Sequence, residues 1–307
     1  MATQVQIMPK KPTPGAHRRR AALFPEGSAS LWRYLALLVI VMFAAISLFP
    51  LYWCLITSFK QPQDVATVPP SLILTRPALT NYINLIRGTG VANAPVLRWF
   101  LNSVITGIIA TTGVVLLASL AGYSFARKRF PGRDLIFWIV ISTLLVPGWS
   151  TIIASYVLTL NMGLHDTYWV LILPGLASPF ALFLFRQFAV TLPEELFQAA
   201  KIDGASELQL WQRITLPLSR PVIATLAIFT FVGHWNDFLW PLLVLNKQNI
   251  YTLPVGVSVI MYQIQGAGPS YGIGMAAAIL MSVLPILAFL AMQKQMIEGI
   301  TIGSLKG

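Results

Sequence analysis

The sequence predicts an all-α integral membrane protein with six transmembrane helices, and three observations carry this prediction. Hydrophobic residues make up 56% of the 307 residues and charged residues only 10%, against about a quarter charged in a typical soluble domain. Six stretches approach or exceed the length of about 20 apolar residues that crosses a bilayer. Basic residues are concentrated on one side of those stretches, as in membrane proteins of defined orientation. A disordered chain is excluded, because disorder needs low hydrophobicity.

Each predicted span is an apolar stretch with few charges or none. The first contains no charged residue, whereas the fifth contains His234 and Asp237. Proline occurs inside several spans, and we expect kinks there, because neighbouring helices in a membrane can satisfy the carbonyl groups that a proline leaves unpaired. The six predicted spans are 34–59, 101–126, 135–157, 167–185, about 221–245 and 271–293.

The distribution of Lys and Arg predicts the orientation. Six spans place both termini on one side, and that side carries 16 of the 21 basic residues. Because basic residues mark the cytoplasmic side, we expect both termini and the 126–134 and 190–220 loops to be cytoplasmic. The segments 60–98, 158–166 and 246–270 are then outside. Anionic lipid headgroups of the bilayer account for the net charge of +11, so no nucleic-acid partner is needed.

Composition divides the chain into two regions. Residues 1–30 contain several prolines and a run of three arginines, which predicts a flexible basic cytoplasmic arm. Residues 31–307 form the six-span domain, which ends in a cytoplasmic tail at 294–307. Three pairs of small residues four apart predict helix faces that pack against other spans: Ala118 with Gly122, Gly272 with Ala276 and Gly274 with Ala278.

The 190–220 loop has local structure of its own. Two matches to the capping box, which begins a helix, are Thr191 with Glu194 and Ser206 with Gln209. Gly204 can supply the left-handed residue that ends a helix. The loop is therefore predicted to be a helix–glycine–helix element with an apolar stripe. It could be a solvated connector, lie flat on lipid, or dock another protein, to which small residues allow a close approach.

Residues 195–206 read ELFQAAKIDGAS, and residues 213–221 read RITLPLSRP. These segments resemble the EAA loop of binding-protein-dependent ABC importers. The resemblance extends over about residues 31–307 to the carbohydrate-uptake permeases, of the kind represented by the second membrane subunit of maltose-type and glycerol-phosphate-type importers. The further motifs are LNS at 101–103, AGYSFAR at 121–127, FPGR at 130–133, RQF at 186–188, WNDF at 235–238, TLPVG at 252–256 and GITIGSLKG at 299–307.

The resemblance implies a type I ABC importer permease fold in a bacterial or archaeal inner membrane. It implies four kinds of partner: a second homologous permease, two ATPase subunits that bind ATP and Mg, and an extracytoplasmic solute-binding protein. The 190–220 loop would couple to the ATPases through Glu195, Gln198, Ala199, Ala200, Asp203, Gly204 and Ala205. Gln198 stands where the family usually has the glutamate of its EAA motif, so a salt bridge assigned to that glutamate is in doubt here.

The sequence contains no motif for chemistry of its own. It has no Gly-x-x-x-x-Gly-Lys phosphate loop and no His-Glu-x-x-His zinc motif, and no Gly-x-Ser-x-Gly nucleophile elbow. We therefore expect no enzyme activity and no cofactor in this chain, and an ATP-driven sugar permease is the favoured function. The alternatives are a permease for a glycerol-phosphate ester, polyol or glucosyl osmolyte, an ATP-independent channel subunit and an intramembrane enzyme.

Polar residues inside the fifth span predict a second functional site. A charge in a span is costly and usually faces a cavity or a partner, and Asp237 is the only acidic residue within the predicted spans. Three interpretations remain open: a lock against the partner permease or a helix break, a gate or substrate contact, and a proton relay. The candidate residues for the substrate path are His234, Trp235, Asn236, Asp237 and, in the second span, Asn102.

Overall fold

A computed structural model describes residues 26–65, 67–89, 94–264 and 271–304, and within these ranges every regular element is helical. The chain forms two compact units, Met1–Trp53 and Cys54–Gly307. All described residues of the first unit belong to helix α1 (Glu26–Ser58), which contains Pro50. The predicted arm at 1–30 lies mostly outside the described residues and stays a prediction.

The second unit consists of long helices joined by short ones. Its helices are α2 (Pro62–Val65), α3 (Thr80–Arg87), α4 (Val96–Arg127), α5 (Arg133–Ser142), α6 (Ile152–Asn161), α7 (Trp169–Ile172), α8 (Pro179–Val190), α9 (Glu194–Ile202), α10 (Glu207–Leu210), α11 (Leu216–Leu218), α12 (Arg220–Asn236), α13 (Leu239–Val244), α14 (Leu253–Gln263) and α15 (Tyr271–Ser304). Single 3-10 turns occupy Thr143–Leu145, Gly148–Thr151, Leu173–Gly175 and Gln248–Ile250, and a π turn occupies Trp211–Thr215.

Three helices are long and apolar enough to cross a membrane: Leu31–Ser58, Val96–Arg127 and Tyr271–Ala291. They correspond to the predicted first, second and sixth spans. Three bent helix pairs bring the number to six if each pair is one span. The pairs are Arg133–Leu145 with Gly148–Asn161, Trp169–Gly175 with Pro179–Val190, and Glu207–Leu218 with Arg220–Asn236.

The third and fourth spans are broken rather than continuous. The helices on either side of Val146 and Pro147 meet at 93°, and Val146 has the extended conformation φ −80°, ψ 118°. Proline lacks an amide hydrogen and disfavours a helical conformation in the residue before it, which explains the break. Ser178, before Pro179, is likewise extended, and the bend there is 47°.

Helix α4 is the centre of the second unit and packs against α8, α12 and α14. Trp99 of α4 and Trp235 of α12 are almost completely buried in the largest apolar cluster. Gly122 allows α8 to approach closely, because a methyl group added there would lie 2.8 Å from Cδ1 of Phe185. The predicted packing of this small-residue face against another span is therefore confirmed.

The segments that connect the predicted spans contain short helices. In 60–98 these are α2 and α3. The 246–270 segment, expected as a connection between spans, instead contains the apolar helix α14, whose Leu253 and Ile260 are fully buried. Gly272 and Gly274 face Asn81 of α3 and Ile264 just after α14, so the glycines of the sixth span pack on these short helices.

Candidate functional site

The loop between α8 and α12 is anchored to the end of α4 by an aromatic cluster. Phe197 of α9 is 2% exposed and Leu210 of α10 is fully buried. Both pack with Tyr123 of α4 and with Trp211, and the rings of Tyr123 and Phe197 lie 6.4 Å apart. Burying one large apolar side chain stabilises a fold by about 1.5–3 kcal/mol. Helix α9 is therefore a fixed part of the fold.

Arg127, the last residue of α4, holds the beginning of the loop. Its Nη1 donates to Oε2 of Glu194 at 2.6 Å, and its Nη2 donates to the carbonyl oxygens of Ala189, at 2.8 Å, and Leu192. Its guanidinium carbon lies 4.4 Å from the ring centroid of Phe197. Because the Glu194 side chain is 53% exposed, solvent screens the ion pair, and the carbonyl hydrogen bonds and the stacking contribute most.

Glu207 makes a second link between the loop and α4. Its carboxylate accepts a hydrogen bond from the Tyr123 hydroxyl at 2.7 Å and pairs with Lys128. The bond from Lys128, together with that from Tyr123, outweighs partial burial and holds the pKa of Glu207 below its usual value. Glu207 is therefore ionised at neutral pH. The end of α4 contacts both loop helices, α9 and α10.

The caps of the loop helices differ in part from the prediction. Ser206 and Gln209 form the predicted capping box, and Gly204 has the predicted left-handed conformation, with φ +81°. The predicted box of Thr191 with Glu194 is wrong, because Pro193 is the N-cap residue of α9. The Thr191 hydroxyl donates to the Phe188 carbonyl, and Glu194 pairs with Arg127 instead.

The face of the loop that carries the expected ATPase-coupling residues is open. Leu196, Ile202 and Leu208 are exposed there, Ile202 to 86%. A cavity of about 360 Å³ lies between α9 and the π turn, lined by residues that include Ala200, Gly204 and Arg213. Of the expected residues, Ala200 and Ala205 are half-buried, and the exposed ones are Glu195, Gln198, Ala199, Asp203 and Gly204.

The polar cluster in the fifth span marks a break in the helix. Helix α12 ends at Asn236, Asp237 is extended with φ −66° and ψ 123°, and α13 begins at Leu239. The Asp237 carboxylate lies near the backbone amides of Phe238 and Trp240, and the N-cap residue of α13 is Phe238. The predicted fifth span, about 221–245, therefore consists of two helices, and the helix break that the sequence left open is found.

The other candidate path residues lie apart from Asp237. Trp235 is buried in the core, where its Nε1 donates to the Met281 carbonyl at 3.0 Å, and Asn236 is exposed. The Asn102 amide donates to the carbonyls of Asn249 and Tyr251, and its oxygen accepts from the Tyr168 hydroxyl at 2.8 Å. Asn102 therefore links α4 to the segment between α13 and α14 and to Tyr168.

His234 and Asp237 stand between two cavities. The first, of about 520 Å³, is lined by residues of the break in the third span, such as Trp149, and by Trp240. The second, of about 420 Å³, is lined by residues of α4, α8 and α12. Gly175, His234 and Asp237 line both cavities. These three residues therefore form the partition between the two cavities.

Sequence reasoning missed several of these residues. Nothing in the local pattern marks Arg127, Trp149 or Trp240 as neighbours of the two sites, since their partners are distant in sequence. Asp166 is a further example: its carboxylate accepts hydrogen bonds from the amides of Asn246 and Lys247. Burial acts to raise the pKa of Asp166, but these amides outweigh it and lower that pKa. Among the described residues, no three His, Cys, Asp or Glu side chains are grouped to hold a metal ion.

Comparison with known proteins agrees with this geometry. Residues 114–300 match the family described as "Binding-protein-dependent transport system inner membrane component". The arabinooligosaccharides transport system permease protein AraQ of Bacillus subtilis is 32% identical over 280 residues, which are 91% of this chain and 97% of AraQ. The sn-glycerol-3-phosphate transport system permease protein UgpE of Escherichia coli O6:K15:H31 is 34% identical over 263 residues, 85% of this chain and 93% of UgpE.

Solved structures share the fold. A chain of a bacterial ABC transporter involved in the import of the acidic polysaccharide alginate superposes with a TM-score of 0.78 at 18% identity, over 88% of this chain and 98% of that chain. The fold is thus that of a membrane permease of the type I ABC importer class, as the sequence predicts. The chain belongs to the family of binding-protein-dependent transport system inner membrane components, and the family resemblance is confirmed.

Proposed function

We propose that this chain is one of two homologous permease subunits of an ATP-driven sugar importer and forms half of its translocation path. Two ATPase subunits bind ATP and Mg and dock on the α9–α10 face, and an extracytoplasmic binding protein delivers the solute. The chain itself catalyses no reaction, and both of its termini are cytoplasmic. The relatives named for arabinooligosaccharide and glycerol-phosphate transport support this assignment.

One observation carries the proposal: a helix that is fixed to the membrane helices on one side and open on the other. Phe197, Arg127 and Glu207 bind the loop to α4, while Ile202 and Leu208 remain exposed. A rigid element with a free apolar face can transmit the movement of a docked ATPase to α4. An ATP-independent channel would have no use for such an element, which makes the channel alternative weaker.

The partition at His234 and Asp237 supports a gate or solute contact at the break in the fifth span. Both residues line the two cavities, and both lie where α12 ends. The helix break also frees backbone groups to face the path, as broken helices do in other transporters. A proton relay is disfavoured, since no second acidic residue lines either cavity.

The ATPase contact is tested by Gly204→Asn. Asparagine tolerates the left-handed conformation better than other side chains, and an added Cβ meets nothing within 4 Å in this chain, so the fold is expected to persist. If an ATPase subunit approaches Gly204 closely, its recovery with the purified permease should fall at least fivefold. Gly163→Asn is the matched control, because Gly163 has φ +66° and equally open surroundings. Equal ATPase recovery with both variants would contradict the docking proposal.

The proposed orientation is tested by labelling single cysteines from each side of the membrane. In a Cys54→Ala background, Thr80→Cys should react with an impermeant maleimide added outside, and Arg129→Cys, in the predicted cytoplasmic 126–134 loop and away from the proposed ATPase face, should react only after the cells are opened. Both positions are exposed, so a lack of reaction reflects the side and not burial. Reaction of both cysteines from outside would overturn the proposed topology.

A further inference from the structure

The larger of the two cavities has the shape and chemistry of a binding site. Its volume of about 520 Å³ falls within the usual range of about 300–1,000 Å³ for small-molecule sites. Its walls come from three of the breaks described above: the turn at Gly148–Thr151, the turn at Leu173–Gly175, and the residues around Asp237. Because these breaks expose polar groups within an otherwise apolar part of the chain, the cavity combines aromatic and polar surfaces.

Two tryptophans line this cavity. The indole Nε1 of Trp240 donates to the Val170 carbonyl at 2.9 Å, which fixes the plane of its ring. Trp149 is 72% exposed, so its ring is available to a solute. Flat aromatic rings bury the apolar C–H faces of a sugar ring, and a second, unanchored ring can adjust to solutes of different length.

The polar side chains of the cavity are the Asp237 carboxylate, the His234 imidazole and the hydroxyls of Thr151 and Ser155. The Asp237 carboxylate lines the cavity, and because a carboxylate has about four acceptor positions, it can accept hydrogen bonds from solute hydroxyl groups. Ser155 and Thr151 contribute hydroxyls, and that of Thr151 donates to the Gly148 carbonyl at 2.9 Å, which leaves its oxygen as an acceptor. Hydroxyl-rich solutes match this set.

Charge makes the site selective. The residues that line the cavity include Asp237 and His234 and no Lys or Arg. An anionic solute would therefore lose water without gaining a permanently charged basic partner, and would lie beside a carboxylate of the same sign. We propose that this cavity is a solute subsite within the permease that accepts neutral saccharides and rejects anionic ones, with Asp237 as the residue that determines the charge class. The proposal rests on the proposed function and adds its solute class.

The test uses the whole complex, with its partner permease and ATPase subunits in nanodiscs and without the binding protein, so that only the permease selects. Saturation-transfer NMR would compare the neutral probes arabinotriose and maltotriose with the anionic probe sn-glycerol-3-phosphate. The wild-type complex should bind at least one neutral probe and give no signal with the anionic one. Trp149→Leu and Trp240→Leu should each weaken that binding about fivefold, a typical value for loss of one stacking contact. Trp138→Leu, an exposed tryptophan outside the cavity, should leave it unchanged.

Asp237→Asn tests the charge selection itself. It keeps an acceptor for the backbone amides, so the break should persist, and it should make binding of sn-glycerol-3-phosphate detectable. Anionic binding by the wild type as tight as neutral binding, or unchanged binding in both tryptophan variants, would overturn the subsite. If the subsite fails while the reconstituted complex still imports a delivered solute with ATP, the proposed function stands. If no solute is imported at all, the proposed function itself fails.

Discussion

Gly256→Ala is expected to destabilise the protein strongly. A methyl group at position 256 would lie 1.9 Å from Cε3 of Trp99, far closer than two carbon atoms can approach. Trp99 cannot move aside, because it is fully buried and its Nε1 donates to the Gln248 carbonyl at 2.7 Å. Overpacking of a well-filled core costs about 1–3 kcal/mol of stability and occasionally more. Because the indole ring of Trp99 is rigid, we expect a cost near the upper end of this range. The gain in helix propensity of about 1 kcal/mol does not compensate.

The measurement is the thermal unfolding midpoint of the purified protein in detergent, together with the amount inserted in the membrane. We expect a midpoint several degrees below the wild type, or loss of the inserted protein. Gly233→Ala is the matched control, since Gly233 also lies within a helix and a Cβ there would meet nothing within 4 Å. A Gly256→Ala protein as stable as the Gly233→Ala protein would show that α14 does not pack on Trp99 in this way.

Arg127→Met should release the 190–220 loop from α4 while the membrane helices remain folded. Methionine keeps most of the side-chain length but removes the hydrogen bonds to Ala189 and Leu192, the pair with Glu194 and the contact with Phe197. A hydrogen bond from a charged donor contributes about 1.5–3 kcal/mol. A net loss of about 2 kcal/mol after rearrangement corresponds to a roughly 30-fold change in an opening equilibrium.

Hydrogen exchange of the amides in 194–210 measures that opening directly. We expect these amides to exchange about 30-fold faster in Arg127→Met, and ATP hydrolysis in the reconstituted complex to respond less to the binding protein. Lys201→Met is the control, because the Lys201–Glu207 pair is 4.0 Å long and half exposed, and exposed pairs contribute at most about 1 kcal/mol. Unchanged exchange in Arg127→Met would mean that the aromatic cluster alone holds the loop.

Gly204 and Gly256 show where the local sequence is enough to predict a required glycine and where it is not. Gly204 could be recognised from sequence, because a helix stop followed by a new capping box depends only on neighbouring residues, and the structure has it at φ +81°. Gly256 carries no such local signal. Its requirement arises from Trp99, more than 150 residues earlier in the chain, and only the packing of α14 on α4 reveals it.

The sequence by itself determined the membrane class, the helical content, the approximate places of the long spans and the helix–glycine–helix structure of the 190–220 loop. These follow from the length of apolar segments and from caps, which are local properties. The prolines already predict kinks, but only the tertiary structure decided that the third and fourth spans bend by 93° and 47°, that the fifth is broken at Asp237, and that Arg127 and Glu207 fasten the loop. It also decided that Asp237 lies between two cavities beside Trp240. Such features depend on which distant residues meet, and the energy of a contact between distant segments leaves no periodic signal in either of them.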